Sequence, residues 1–476
     1  MTVATNSIRV VDPATEQELA TYDAHGPAEI EAALAAADGA FTAWRRSPLA
    51  ERRALLLAVA GVLRDRRAEY ARLIVAEMGK PLAEAEGEVD KCVLGCEFYA
   101  EAAEAMLADE PVQTGARASF VAYEPLGVVL AVMPWNYPFW QVLRFAAPAL
   151  MAGNAALLKH SPNVSGCALA IEDAFRAAGA PEGLFRSLLV PDAAVPEVTA
   201  ALIEDPRVAA VTLTGSERAG AAVGAAAGRA LKPSVLELGG SDPFVVLADA
   251  DPAWVVDHAV RARFQNAGQS CIAAKRFIVH ESIADEFEAR FAEAVAALAV
   301  GDPMEPGTKI GPMARADLVD GLERQVDESV AAGARVLAGG ARIDGPGYFY
   351  APTVLADVTP EMPVFREETF GPVAAVVRFS DEAEAIALAN DTRYGLGATL
   401  WTADPDHARE LGRDIRSGML FVNAMVASDP RLPFGGEKRS GYGRELSAHG
   451  LREFTSVRTY WIAEPGSPDP AGPVAE

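Results

Sequence analysis

The stretch VAAVTLTGSERAGAAVGAAAGR, residues 208–229, decides the fold. An apolar, β-branched run leads into Gly215-Ser216, and an alanine-rich helical segment follows. The opened helix end offers free N–H groups and the positive end of the helix dipole, both suited to a phosphate. Gly220, Gly224 and Gly228 recur every four residues, so one helix face can approach a sheet or a flat ligand closely. The pattern is not GxGxxG, so the usual dinucleotide fingerprint is absent. Packing through small residues is the competing explanation. A membrane-type GxxxG contact is excluded by Glu217, Arg218 and Arg229 on the segment.

Outward from this stretch the alternation continues. AALLKH (155–160), FRSLLV (185–190) and SVLELG (234–239) read as strands, and SGCALAIEDAFRAAG (165–179) as a helix. A second series begins near Phe244: FVVLAD, a helix from about Pro252 to Ala267, RFIVHE, then a helix to about Leu298. Such alternation predicts mostly parallel sheets with helices on both faces, here two α/β domains joined near Gly239-Gly240. Upstream, residues from about 27 to 108 read as three helices. The middle one runs without interruption from Leu49 to a stop at Gly79 and Pro81. ARASFVAYEPLGVVLAVMP (116–134) reads as two strands joined at Glu124 and Pro125.

With 476 residues the chain is long enough for two or three domains. A net charge of −24 repels phosphate backbones and anionic lipid, which argues against nucleic-acid or membrane-surface partners. The longest apolar run, about PLGVVLAVMPW, is too short to span a bilayer. No apolar segment follows a basic start, so a cytoplasmic location is expected. Four cysteines, Cys92, Cys96, Cys167 and Cys271, do not make a disulfide framework in so long a chain. Cys92 and Cys96 share a helix face but lack the CxxC spacing and any accompanying histidine, so two core thiols are expected and no metal site.

Several positions could carry chemistry. Lys159 ends a strand, where α/β sheets bind ligands; a solvated lysine is the alternative. Glu237 lies between Leu236 and Leu238 before a double glycine. A carboxylate with such neighbours should have a raised pKa suited to a general base, or else it caps backbone or pairs with a lysine. Asn136, in MPWNYPFW, is fixed between Pro134 and Pro138 and is a candidate oxyanion donor or a turn asparagine. Cys271, in FQNAGQSCIAAKRF (264–277), sits at a turn where backbone N–H groups could stabilise a thiolate. Alternatively it is an inert buried thiol.

In combination these segments are specific. MPWNYP, LLKH, TGSERAG, LELGGSDP, FQNAGQSC, EETFGPV and PFGGEKRSGYGRE occur in one order, and the chain from about residue 8 to 462 resembles the aldehyde dehydrogenase superfamily. LKHSPN, GGSDPF and AAKRFI look most similar to its succinate-semialdehyde dehydrogenase branch. The resemblance implies two Rossmann-like α/β domains plus a small β oligomerisation element. A dinucleotide-binding domain would comprise 1–116 and 133–238, and a catalytic domain 239–428. Oligomerisation strands would lie at 117–132 and 445–463, and 464–476 would be a disordered tail. A homo-oligomer, dimer or tetramer, follows.

The same resemblance implies that Cys271 is a nucleophile attacking an aldehyde carbonyl, with Asn136 and the Cys271 N–H as oxyanion hole. Hydride loss would leave a thioester, and Glu237 would activate the water that hydrolyses it. Trp135, Lys159, Gly215, Ser216, Leu238, Glu368 and Phe370 match the family's dinucleotide contacts. NAD-preferring members often carry a glutamate where Pro162 stands. Without that carboxylate a 2′-phosphate fits beside Lys159, so NADP is expected to be favoured, with NAD also used. Arg144 matches an arginine that clamps the distal carboxylate of succinate semialdehyde, with Ser428 as a second contact. Some members add an arginine where this chain has Gln265, and Arg431 is the expected compensation. The implied reaction is NAD(P)-dependent oxidation of succinate semialdehyde to succinate. A broader aldehyde specificity, a CoA-acylating form (against which Glu237 argues), a cysteine hydrolase or amidase, and a catalytically inactive homologue are the alternatives.

Overall fold

The computed structural model describes residues 7–466. Two large sheets organise it. The first has six strands in the order Gly441–Tyr442, Ser234–Glu237, Val208–Thr214, Val128–Met133, Ala155–His160 and Phe185–Leu188. All its neighbours are parallel except the Gly441–Tyr442 edge. Val128–Met133 is buried throughout, as a central parallel strand covered on both faces must be. From it the chain builds outward through 155–160 and 185–188, then returns to the other side through 208–214 and 234–237. The reversal opens a crevice at the carboxyl ends of Val128–Met133 and Val208–Thr214, the usual ligand position in open α/β sheets.

The second sheet has seven strands in the order Arg335–Ala338, Thr353–Ala356, Val373–Phe379, Ala274–His280, Asp242–Val246, Gly397–Trp401 and Met419–Val422. The chain passes from the first sheet to the second between Glu237 and Asp242. Each sheet has its own apolar core: Phe244, Phe277, Phe287 and Phe291 cluster under the second, apart from the core around Val128–Met133. A third, antiparallel sheet pairs Thr455–Ile462 with Ala118–Pro125 and the latter with Glu110–Pro111. Val457, Trp461 and Ile462 are exposed on it.

Three sequence expectations need correction. The segment 117–132 is not one unit: Ala118–Pro125 joins the small sheet, but Val128–Met133 is the heart of the six-stranded sheet. Its unbroken apolar run belongs to a doubly covered strand, which an edge strand cannot be. Second, 445–463 is not all strand, because Ser447–Arg452 is a short helix. Third, the helix expected from Leu49 to the stop at Gly79 is two helices, Leu49–Asp65 and Arg67–Met78, so four helices precede the small sheet rather than three. The break is at Arg66 (φ −102°, ψ 17°), which reaches Asp173 at 2.7 Å. No Gly or Pro marks it. Of the tail expected to be disordered, residues 467–476 lie outside the described residues.

Candidate active site

Cys271 lies on the turn that feeds Ala274–His280, the central strand of the larger sheet. Just before it, Asn266, Ala267 and Gly268 have left-handed backbone (φ 56°, 50° and 71°). Alanine in this region is strained, so neighbours must hold the loop. Glu84 accepts the Asn266 N–H at 2.7 Å. The Asn266 amide donates to the Asn136 and Gln269 carbonyls, and Gln269 Oε1 accepts the Ala314 N–H. From below, the Lys275 ammonium donates to the carbonyls of Ser270, Cys271 and Ala273 at 2.9–3.1 Å. A Cβ on Gly240 would meet the Cys271 carbonyl oxygen at 2.4 Å, which is why the double glycine stands there.

Asn136 comes from the other lobe, three residues past the carboxyl end of Val128–Met133. It is buried, and Nδ2 donates to the Gln269 carbonyl at 3.0 Å. That bond spends one amide hydrogen and leaves a second. Glu237 ends its strand at the same crevice. It is buried, and neither carboxylate oxygen has a hydrogen-bond partner among the described residues. Burial pushes its pKa well above the ordinary value; Glu445 adds to the rise and Arg144 opposes it. Burial also pushes the Cys271 thiol up to about 12, with Arg144 and Lys275 pulling it back. The resting sulfur is therefore a thiol, not the thiolate that a turn of N–H groups alone would favour.

Cys271 opens onto a cavity of about 450 Å³ whose lining includes Lys91, Trp140, Arg144, Arg261, Gln265 and Ser428. The expected carboxylate clamp, Arg144, lines this cavity but has a partner inside the protein. The Arg144 guanidinium is held by Glu445 at 2.5 Å, both side chains about 3% exposed, and lies 4.5 Å from the Phe434 ring centroid. It borders the cavity, but its charge is matched from within the protein. Arg431 does not compensate for Gln265: it is bound to Asp429 at 2.6 and 2.9 Å, is exposed, and is not among the cavity's lining residues. Lys91 and Arg261 are the further cations that face the cavity.

The dinucleotide candidates gather around the crevice. Trp135 and Phe370 meet edge to face at 5.8 Å. Glu368 accepts the Gly240 N–H at 2.9 Å and lies 3.8 Å from Lys275. Lys159 is buried at the carboxyl end of its strand; burial lowers its pKa to about 8. It forms no ion pair or side-chain hydrogen bond among the described residues. Pro162 begins a short 3₁₀ turn beside it and brings no carboxylate. The Gly215 N–H is already given to the Glu237 carbonyl at 2.9 Å, and Ser216 caps its helix through the Ala219 N–H. A Cβ on Gly220 would meet Leu238 at 2.4 Å. The small-residue face therefore packs on the residue that follows the Ser234–Glu237 strand. An unpaired buried ammonium with no neighbouring carboxylate in its ribose turn fits a phosphorylated dinucleotide.

Cys92, Cys96 and Cys167 are fully buried and unpaired. Among the described residues no group of three His, Cys, Asp or Glu is placed to hold a metal ion, and no helix is long and apolar enough to cross a membrane. Sequence reasoning missed Glu445, Lys275, Glu84 and Lys91. Glu445 closes the PFGGEKRSGYGRE segment and Lys275 lies in AAKRFI; their roles depend on partners 301 and four residues away.

A thiol facing a cavity between two α/β lobes, with a buried carboxyl and a crevice at the strand ends beside it, is an arrangement suited to an oxidoreductase. Residues 2–460 match the aldehyde dehydrogenase family, and the chain belongs to it. Family membership sets aside the hydrolase alternative. The chain is 52% identical over 457 residues (96% of this chain, 100% of the relative) to a probable succinate-semialdehyde dehydrogenase [NADP(+)] of Synechocystis. It is 50% identical over 459 residues, with the same coverage, to succinate-semialdehyde dehydrogenase [NADP(+)] 1 of Mycobacterium tuberculosis. The crystal structure of succinic semialdehyde dehydrogenase from Streptococcus pyogenes in complex with NADP+ superposes with a TM-score of 0.92 at 38% identity, covering 96% of this chain and all of that one.

Proposed function

We propose that this enzyme oxidises succinate semialdehyde to succinate with NADP+, using NAD+ less well. The observation that carries the reading is the cavity over Cys271. At about 450 Å³ it has room for a short aldehyde, and Lys91, Arg261 and the Ser428 hydroxyl line it without a paired carboxylate among the described residues. A carboxylate at the far end of the substrate would meet them while its aldehyde reaches the sulfur.

In this reading the Cys271 thiol gives up its proton to solvent as sulfur bonds to the aldehyde carbon. The oxyanion that forms accepts hydrogen bonds from the free Asn136 amide hydrogen and the Cys271 N–H. NADP+, when bound, supplies the acceptor for the hydride lost from that carbon. Trp135, Phe370 and Glu368 would hold its nicotinamide end, Gly215, Ser216 and Leu238 would line its path, and Lys159 beside Pro162 would take the 2′-phosphate. Glu237 then draws a proton from the water that cleaves the Cys271 thioester, and Glu445 and Arg144 set when it can do so. Glu237 argues for this hydrolytic ending over transfer to CoA.

We divide the domains along the two sheets, with 1–116 and the segment from Val128 to Glu237 on the cofactor side and 239–428 on the catalytic side. Val457, Trp461 and Ile462 on the small sheet support assembly of subunits into a dimer or tetramer. Four unpaired cysteines support a reducing, cytoplasmic location. The test is absorbance at 340 nm with succinate semialdehyde and each cofactor. The reading expects reduced NADP to accumulate fastest; no reduced nicotinamide with either cofactor would remove it.

A further inference from the structure

Among the described residues, the charges around the cavity are matched one by one until a single cation remains half-buried without a counter-ion. Arg144 is taken by Glu445. Glu88 is taken by Lys80 at 2.5 Å and by the Phe139 and Trp140 N–H groups. Glu84 accepts the Asn266 N–H. Asp429, the acid next to Ser428, is bound by Arg431. Lys91, on the Leu82–Met106 helix, is left with neutral partners. Its ammonium donates to Ser428 Oγ at 2.5 Å and sits 4.8 Å from the Trp140 ring centroid. Arg261 also faces the cavity, but from an exposed position one helical turn before Gln265.

We propose that Lys91 is the specificity-determining residue of this site, its ammonium and the Ser428 hydroxyl that it holds together binding the distal carboxylate of the substrate. This rests on the proposed function and deepens it. A half-buried ammonium without a counter-ion is a poor arrangement for the empty cavity and a good one for an anionic ligand, which brings the missing charge with it. The Trp140 ring holds the ammonium from one side and the serine directs it from another. An uncharged aldehyde of the same length gains nothing from either contact.

The titration of Lys91 gives an independent handle. Burial, then Arg144, lower its pKa to about 8; Cys92, Glu88 and Asp429 pull the other way. The groups facing it are Glu88 and Cys92 on its own helix, Arg144 on the Trp140–Met151 helix, Asp429 on the loop beside Ser428, and Arg261 across the cavity. The cation is present below about pH 8 and is lost above it.

The experiment compares kcat/KM for succinate semialdehyde and for butanal, an uncharged aldehyde of equal length, in the full chain with NADP+. Wild type should prefer succinate semialdehyde. Its kcat/KM for that substrate should fall above about pH 8 relative to the value for butanal. Lys91→Met should lower kcat/KM for succinate semialdehyde about 50-fold or more, chiefly through KM, and leave butanal within about three-fold. Lys91→Arg should restore much of the preference and move the alkaline fall to higher pH. A Lys91→Met enzyme that keeps the wild-type ratio between the two aldehydes overturns the inference alone, as does one that loses both activities equally while Lys91→Arg restores neither. A wild type without any preference for the carboxylate overturns the proposed function, and this inference with it.

Discussion

At the buried side of the cavity, Arg144 and Glu445 are locked together and Glu237 lies beside them. At the more exposed side, Lys91 holds only a hydroxyl and Arg261 holds nothing charged among the described residues. The first group is closed: its charges answer one another, and their net effect is on the protonation of Glu237 and Cys271. The second is open, and an anion would complete it. The contrast teaches that an arginine facing a substrate cavity does not thereby serve the substrate. What matters is which carboxylate reaches it first.

The largest effect expected from breaking the closed side is at the sulfur itself. Cys271→Ala should lower aldehyde oxidation about 10⁴-fold or more with charged and uncharged substrates alike, with no loss of unfolding midpoint. Comparable activity in that variant would move the chemistry elsewhere.

Arg144→Leu comes next. It leaves Glu445 and Glu237 buried together without their cation and should cost about 3–5 kcal/mol of stability by denaturant unfolding. Adding Glu445→Gln should recover much of that loss. Both aldehydes should suffer equally in kcat/KM. A deficit confined to succinate semialdehyde would return the guanidinium to substrate recognition and blur the two sides.

Glu237 sharpens the comparison through pH. Its raised pKa means that it is protonated, and no base, at the acid end. Where thioester hydrolysis limits turnover, kcat should therefore climb with pH as the proton leaves, and the climb should vanish in Glu237→Gln. Linkage gives the same group a stability signature. A carboxyl that binds its proton more tightly folded than unfolded stabilises fully below the ordinary carboxylate range. That contribution is lost as pH rises through the raised value, and Glu237→Gln should flatten this slope.

The smallest effect is at the loop's support. Glu84→Leu removes the acceptor for the Asn266 N–H and should cost about 1–2 kcal/mol, seen as a roughly tenfold lower kcat with unchanged cofactor affinity. No change would mean that Lys275 and the Asn266 amide hold the turn unaided.

How much of this could be read from the sequence follows from how local each signal is. Strand–helix alternation around 155–237 and 242–298 was legible because burial on both faces imposes unbroken apolar runs. Glu237 and Asn136 stood out because leucines flank the one and prolines bracket the other, and Cys271 because it follows the NAGQS turn. The break at Arg66 was not legible, since no Gly or Pro marks it. Nor was the central place of Val128–Met133, because its run follows a half-buried strand with only Leu126-Gly127 between them. The capture of Arg144 by Glu445 is a contact across 301 positions, and periodicity carries no information about it. Lys91 looked like one more helix lysine until Ser428, 337 residues away, was seen against it.

The account stands most directly on the covalent passage through Cys271, and a single-turnover experiment with Glu237→Gln reads it. Enzyme with NADP+ is mixed with excess succinate semialdehyde and followed at 340 nm. The account predicts a rapid burst of about one reduced cofactor per subunit, then slow turnover, with an acyl group recoverable on Cys271 by mass spectrometry. Slow formation of reduced cofactor without a burst, and an unmodified Cys271 under saturating substrate, would contradict it.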